Sequence, residues 1–390
     1  MGLSRKAYDP VLYATVILLA NVAALGQEGK VNWNQFRGPN GRGAAPADRI
    51  PVRFGPATNV SWKTAVPAGH SSPVIWNKHV FLAASDPANG RGLITLAVGR
   101  EEGGILWRRV VQAETPGRFH PLNNPASSTP AADEKHVYVY FGTYGLLFAS
   151  AAALGGRGDD KWDAAATWKM TVAEFDRNHD NQIQRGEMTK GFAFIQRPEL
   201  PKDNPGYGLP VKDMDTLLKI FDRDKNGVIT EREWMETMSG FAAISHPTLV
   251  AIRPGATRDA RRSHVAWEIQ RGIPETPSLL YCRGKLYLLR DGGWLTCLEA
   301  STGRELFRER IGAPGQYIAS PIVADDKVIA ASVPGVVTVI QVDNELKVLA
   351  RNNFGEQIFA TPAVAGNKIY LRTENHLFAL GERTMGSEHD

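Results

Sequence analysis

The chain has 390 residues, a length that accommodates two or three structural units. Its composition, 43% hydrophobic and 22% charged, is that of a globular protein and excludes a chain dominated by disorder. A net charge of +4 with no block of like charge excludes the concentrated basic face of a nucleic-acid binder; the densest basic stretch, Arg258, Arg261 and Arg262, reads as a solvated loop that also holds Asp259.

The first element, residues 1–26, reads as an export signal. Arg5 and Lys6 precede an apolar run, Val11–Leu25, broken only by Thr15 and Asn21, and the small residues Ala23, Ala24 and Gly26 stand near a cleavage point. A membrane anchor is the competing reading, but the run is short against the roughly 20 residues that a bilayer requires. No cysteine follows the run, so a lipid anchor is not expected. A periplasmic or secreted protein with no stable membrane insertion after cleavage is expected.

Residues 31–150 and 247–381 carry an internal repeat. Five segments open on Ser-Pro or Thr-Pro, run through apolar residues, turn at a polar cluster and resume as strand: Ser72-Pro73 to Phe81, Thr129-Pro130 to Tyr140, Thr276-Pro277 to Leu288, Ser320-Pro321 to Ile329, and Thr361-Pro362 to Leu371. The turns are expected at Asn77-Lys78, Glu134-Lys135, Gly284-Lys285, Asp326-Lys327 and Asn367-Lys368, followed by runs such as Val137–Phe141. Pro277, Pro321 and Pro362 stand 44 and 41 residues apart, a spacing that suits a four-stranded propeller blade; a β-sandwich is the alternative. Outer strands carry Trp107, Trp267 and Phe307. The last unit, ending near Leu380, lacks a fourth strand, and a segment near 59–67, Asn59-Val-Ser-Trp-Lys63, has the pattern to supply it. Such pairing would remove a free sheet edge. Cys282 and Cys297 fall on strands separated by a third, about 10 Å apart and beyond disulfide reach, so two free, buried thiols are expected.

Between the two halves, residues 168–240 read as helices around two acidic twelve-residue loops. Ca²⁺ takes six to eight oxygens, and such a loop supplies them when ligands alternate along it. The first offers Asp176, Asn178, Asp180, the Gln182 carbonyl, Gln184 and Glu187; the second offers Asp222, Asp224, Asn226, the Val228 carbonyl, Thr230 and Glu233. The turn position is Gly227 in the second and Asn181 in the first, the two residue types that best tolerate positive φ. Ile183 and Ile229 occupy the eighth places, where paired EF-hand loops join. Trp168, Val172 and Phe175, with Thr171 and Glu174 as a capping box, form the expected entering helix of the first loop; Met214, Leu217, Leu218 and Phe221 form that of the second. Met188, Phe192 and Ile195, and Trp234 and Met238, are expected on exiting helices. A long Pro/Gly-rich linker, Pro198 to Pro210, separates the loops. His70, His120, His246 and His264 have no metal-ligand spacing and read as loop or core residues.

Trp33-Asn-Gln-Phe-Arg-Gly-Pro-Asn-Gly-Arg-Gly43 resembles the opening of exported bacterial proteins with pyrroloquinoline-quinone-like (PQQ-like) repeats. Leu295-Thr-Cys-Leu-Glu-Ala-Ser-Thr-Gly303, Tyr317–Pro321 and Ala360-Thr-Pro362 are similar to their blade motifs, and His264-Val-Ala-Trp-Glu268 resembles a segment that follows an EF-hand pair in some members. The resemblance implies a mainly β fold, a quinoprotein-type β-propeller with an inserted α-helical EF-hand pair. Such propellers have seven or eight blades. Five starts and a partial unit at Thr248–Gln270 are found here, with alanine-rich Phe148–Lys169 where further blades would stand, so an incomplete ring is expected. The function implied is a binding or scaffold module, not an enzyme, with structural calcium and a protein or polymer partner. A scaffold in outer-membrane protein assembly is one alternative, although a lipid anchor would accompany it. The other is a PQQ-dependent quinoprotein dehydrogenase, which would hold PQQ and Ca²⁺ beside an Asp base and adjacent cysteines. Cys282 and Cys297 are far apart, so neither catalytic nor quinone-binding residues are expected.

Overall fold

The computed structural model describes residues 32–47, 49–86, 91–113, 123–141, 164–188, 191–196, 208–211, 213–244, 249–253 and 264–381. The export signal, His120, His246, the basic loop at 258–262, most of the alanine-rich stretch and the linker from Pro198 to Gly206 lie outside them.

Alternation of apolar and polar residues along short segments, with tight polar turns between them, makes each repeat an antiparallel meander. The first unit is Val74–Trp76, His79–Ser85, Gly92–Gly99 and Ile105–Gln112, paired in that order. The second contributes Ala131–Ala132 and Val137–Tyr138, so its second strand stops short of the expected Phe141. The third is Leu280–Cys282, Lys285–Arg290, Trp294–Glu299 and Glu305–Arg310. The fourth is Ile322–Ala324, Lys327–Ala331, Val336–Gln341 and Lys347–Asn353. The fifth is Ala363–Ala365, Lys368–Arg372 and His376–Leu380, and its fourth strand is Val60–Ala65, antiparallel to His376–Leu380. Chain ends meet in one sheet there, which covers the edge that His376–Leu380 would otherwise expose. Leu249–Ile252 and Val265–Ile269 form a separate two-stranded piece. The chain is therefore mainly β, and no sheet among the described residues closes on itself.

Strand register identifies the equivalent residues. The first paired position of each unit (Val74↔Phe81, Ala131↔Tyr138, Leu280↔Tyr287, Ile322↔Ile329, Ala363↔Tyr370) stands two residues after Ser72, Thr129, Ser278, Ser320 and Thr361. In the third unit the equivalent residue is therefore Ser278 rather than the Thr276 of the expected Thr-Pro start. The reason is chemical, because these hydroxyls link the units. The Ser278 amide donates to Ser320 Oγ (3.0 Å), Ser320 to Thr361 Oγ1 (2.9 Å), Thr361 to Ser72 Oγ (3.0 Å) and Ser72 to Thr129 Oγ1 (3.1 Å). A buried amide needs an acceptor, and a hydroxyl on the neighbouring unit supplies it. The order in space is thus third, fourth, fifth, first, second.

Apolar contacts follow the same order. Leu289, Leu295, Cys297, Val328 and Ile340 join the third and fourth units; Ile329, Val339, Tyr370, Phe378, Leu82 and Leu96 join the fourth, fifth and first; Val74, Phe81 and Ala132 join the first and second. The two ends of this series are tied by the N-terminal segment. The Asn34 carbonyl accepts from Ala132 N in the second unit (2.8 Å), and Arg37 Nη2 donates to the Leu279 carbonyl in the third (2.8 Å). The Trp33 ring, fully buried, packs on Gly38, where any side chain would overlap it.

Two indoles lock outer strands to neighbouring turns. Trp62 Nε1 donates to the Arg100 carbonyl (2.8 Å) and Trp267 Nε1 to the Ala300 carbonyl (3.0 Å), and Gly103 and Gly303, at positive φ, leave room for the rings. Cys282 and Cys297 are free thiols on strands with Lys285–Arg290 between them. Cys297 is buried, and desolvation pushes its pKa up to about 11, but Cys282 is only half-buried, because it ends its strand at an exposed turn.

Three helices form a second, smaller core: α1 (Ala164–Phe175), α2 (Met214–Phe221) and α3 (Glu231–Ile244). Trp168, Phe175, Ile183, Leu217, Phe221, Ile229, Trp234 and Met238 are buried together, with Trp234 stacked on Phe221 at 4.1 Å. Two sequence expectations are corrected. Thr171 and Glu174 are not a capping box, since α1 starts seven residues before Thr171, whose hydroxyl donates to the Thr167 carbonyl one turn back. The residues after the first loop do not form a helix either. Phe192–Gln196 is a strand paired with Gly208–Val211. Phe192–Gln196 is too short a run to repay helix nucleation, and the partner strand satisfies its backbone instead.

Candidate metal centre

The two acidic loops follow α1 and α2 directly. Each helix ends when its first loop aspartate still donates its amide to the last helical turn, Asp176 N to the Val172 carbonyl and Asp222 N to the Leu218 carbonyl, both at 2.9 Å. The carboxylates then fold the chain over themselves. Asp222 Oδ1 accepts Asn226 N (3.2 Å) and Oδ2 accepts Gly227 N (2.9 Å). Asp176 does the same in the first loop, taking His179 N (2.7 Å) and Asn181 N (2.9 Å). Further along, Asn226 Oδ1 accepts Val228 N (2.8 Å), and Asp180 Oδ1 accepts Gln182 N (2.9 Å). These short side-chain-to-backbone bonds turn successive oxygens toward the inside of each loop.

The loops are tied together by a three-residue antiparallel contact, Gln182–Gln184 against Val228–Thr230, with Ile183 directly opposite Ile229 and both side chains buried. The two turn residues differ in kind but not in conformation. Asn181 lies at φ 60° and Gly227 at φ 87°.

The last acid of each loop is fixed by donors of its own loop. Glu233, 2% exposed, accepts Arg223 N (3.0 Å) through Oε1, and Thr230 N (3.0 Å) and Thr230 Oγ1 (2.8 Å) through Oε2. Burial works to raise its pKa, but these bonds outweigh it and hold the carboxyl below the ordinary glutamate range, so it is ionised at neutral pH. Glu187 is held similarly by Arg177 N (3.2 Å) and Gln184 N (2.8 Å).

Asp222, Asp224 and Glu233 bring one carboxylate oxygen each within 4.8 Å of one another, and that is the sole such group of three among the described residues. Like charges this close repel, and a hard divalent cation removes such repulsion. Asn226, Val228 and Thr230 stand on the same loop and add neutral oxygens. In the first loop Asp176, Asn178, Asp180, Gln182, Gln184 and Glu187 follow one another in the same way. Side-chain amides satisfy part of the charge in both loops: Asn178 and Gln184 donate to Asp180 Oδ2 in the first (2.9 and 3.1 Å), and Asn226 to Asp224 Oδ2 in the second (3.0 Å). Asp213, which caps α2 by accepting Thr216 N (2.8 Å), was missed in the sequence, although an Asp immediately before an apolar helical run is a recognisable start signal.

Comparison with known proteins places residues 255–349 in a match to the repeat family described as outer membrane protein assembly factor BamB. No curated protein matches the chain. Among solved structures, BamB from Moraxella catarrhalis is 10% identical, with a TM-score of 0.28, over 82% of this chain and 63% of that one. A europium-containing methanol dehydrogenase is 10% identical, with a TM-score of 0.19, over 85% of this chain and 33% of the other. The quinohemoprotein alcohol dehydrogenase ADHIIG from Pseudomonas putida HK5 is 9% identical, with a TM-score of 0.24, over 87% of this chain and 34% of its own. The chain thus spans less than two thirds of each of these proteins. No helix among the described residues is long and apolar enough to cross a membrane. Over residues 255–349, which take in the third unit and most of the fourth, the chain is similar to the repeat of the assembly factor BamB.

Proposed function

We propose that the protein is an exported, non-catalytic binding or scaffold module, built on an open propeller of PQQ-like repeats and stabilised by calcium in an EF-hand-type loop pair. The observation that carries the calcium reading is the grouping of Asp222, Asp224 and Glu233 within 4.8 Å on a loop joined through Ile229 to a second loop of like pattern. The ligands would be Asp222, Asp224, Asn226, the Val228 carbonyl, Thr230 and Glu233, and in the first loop Asp176, Asn178, Asp180, the Gln182 carbonyl, Gln184 and Glu187. The oxygens are hard donors of mixed charge, a set that suits Ca²⁺ better than a softer metal. Outside the cell calcium is near millimolar, which would keep sites of about 10⁻⁴–10⁻³ M occupied, so the ion acts as a staple rather than a signal.

The scaffold reading is supported by the series of five units, whose hydroxyl links and N-terminal tie hold sheet edges and loops in fixed order. Its partner would be a protein or an extended polymer. Isothermal titration of calcium into the chelator-treated full chain tests the metal reading. Two ions per chain are expected, the second loop binding more tightly because its turn residue is glycine, and fewer than one bound ion overturns it. Dye-linked alcohol oxidation after addition of PQQ would overturn the non-catalytic part.

A further inference from the structure

The outermost strand of the first unit, Ile105–Gln112, differs from its counterparts. All eight residues are exposed, among them Ile105 (47%), Leu106 (55%), Trp107 (41%), Val110 (41%) and Val111 (55%). The equivalent outer strands in other units expose no large apolar residue and bury Phe307 (9%) and Trp62 (7%). Trp62 and Trp267 each donate their indole N–H to a neighbouring carbonyl, and Trp107 has no such acceptor among the described residues. At the middle of the strand stand Arg108 and Arg109, paired on the inner side with Leu96 and Thr95 and without an ion-pair partner among the described residues. The strand lies at the edge of its sheet, so one row of its backbone N–H and C=O groups faces outward.

We infer that this edge is a docking site for an extended acidic–apolar peptide segment of a partner protein, which adds a fifth strand to the first unit with two carboxylates opposite Arg108 and Arg109 and apolar residues on either side. Backbone pairing would give the affinity, and the arginine pair the selection. A second copy fits poorly, because the antiparallel register that pairs all eight residues sets Arg108 of each copy directly opposite Arg109 of the other, and like charges so placed repel. The inference sharpens the binding-module reading by naming a surface and a ligand class, and it is independent of the calcium loops.

The test uses the full, calcium-saturated chain and a fluorescein-labelled peptide, acetyl-Val-Thr-Val-Glu-Glu-Val-Thr-Val-amide, followed by anisotropy. Saturable binding is expected, about tenfold weaker for the Lys-Lys version of the peptide and weakened by salt. The R108E/R109E chain should reverse the preference; both side chains are exposed, so its melting temperature should match that of the parent. If that variant melts early, the two peptides on the parent chain decide alone. Amide exchange at the outward-facing positions of Ile105–Gln112 should be fast in the free protein and slow with peptide. Equal binding of both peptides, no binding, slow exchange without peptide because the chain covers its own edge, or a dimer joined through this strand would each overturn the inference. A loss of peptide binding with calcium binding intact would leave the metal reading standing.

Discussion

The repeat units and the acidic loops solve the same problem, buried or crowded polar groups, in opposite ways. Within the repeats the chain supplies partners even to a buried charge. Arg372, 1% exposed and at the end of a strand in the fifth unit, donates to the Ser71 and Ala83 carbonyls, Ser71 Oγ and the Pro67 carbonyl at 2.7–3.2 Å. Burial pushes its pKa down to about 9, still high enough to keep the guanidinium charged at neutral pH, and the four bonds replace the water it has lost. They also fasten the C-terminal strands to the segment around residues 67–83, across the joint where the two ends of the chain meet. In the second acidic loop the corresponding groups are three carboxylates that lie within 4.8 Å of one another and accept backbone amides of their own loop. One region answers a buried charge from within the chain; the other gathers like charges that a cation would neutralise.

The sharpest way to break this contrast is Arg372→Met, which removes a donor from the Ser71, Pro67 and Ala83 carbonyls, of which Ala83 keeps Ser71 Oγ. A loss of about 3–5 kcal/mol in urea unfolding is expected, unaffected by calcium. A loss under about 1 kcal/mol would show that water replaces the guanidinium.

Acid gives the next effect. His70 stacks on Phe359 at 4.0 Å, and burial, reinforced by Arg372, lowers its pKa from 6.5 to about 4. The folded state therefore holds it neutral while the unfolded chain takes up a proton below pH 6.5. Its contribution is fully present above pH 6.5 and is lost as pH falls from 6.5 to about 4, on the order of 3 kcal/mol in all. The same titration of His70→Gln should lack this component, and an identical pH profile in the variant would remove His70 from the account.

Calcium comes third. At a hundredfold excess over its dissociation constant one bound ion contributes about 2.7 kcal/mol. Glu233→Gln should lower the stability of the helical region by about that amount, chelator, which removes both ions, by up to about twice it, and both should leave the repeat core unchanged. Equal shifts in both regions would erase the contrast.

The smallest effect sharpens the difference between the two loops. Asn181→Gly relieves a left-handed position at φ 60°, and calorimetry should show calcium bound at the first loop roughly two- to threefold more tightly. Unchanged affinity would place the difference elsewhere, with the Asn178 and Gln184 amides on Asp180 the next place to look.

Much of this was legible along the chain because it depends on local spacing. The meander strands follow from alternation, the Asp222–Glu233 carboxylates converge because a twelve-residue loop with a glycine turn folds back on itself, and the separation of Cys282 from Cys297 follows from strand count alone. The missing fourth strand of the last unit also had a sequence signature, an unpaired alternating segment at the other end. Thr276-Pro277 marks the start of the third segment because Thr-Pro is a local pattern, whereas the role of Ser278 exists only through the Ser320 hydroxyl 42 residues later. Helix was expected after Glu187 from apolar spacing, but the strand partner Gly208–Val211 lies beyond a proline-rich stretch that hides it.

What the amino-acid order determined by itself is the set of local devices: strands, tight turns, two acidic loops and their helical approaches. Their physical causes act within about a dozen residues. Tertiary structure alone decided which unit neighbours which, why Arg372 can be buried without a carboxylate, and why Ile105–Gln112 shows its apolar residues to solvent. Each of those depends on groups brought together from distant parts of the chain, as Arg372 and Ser71 are across 301 residues, and pairing over such separations leaves no periodic trace in the sequence.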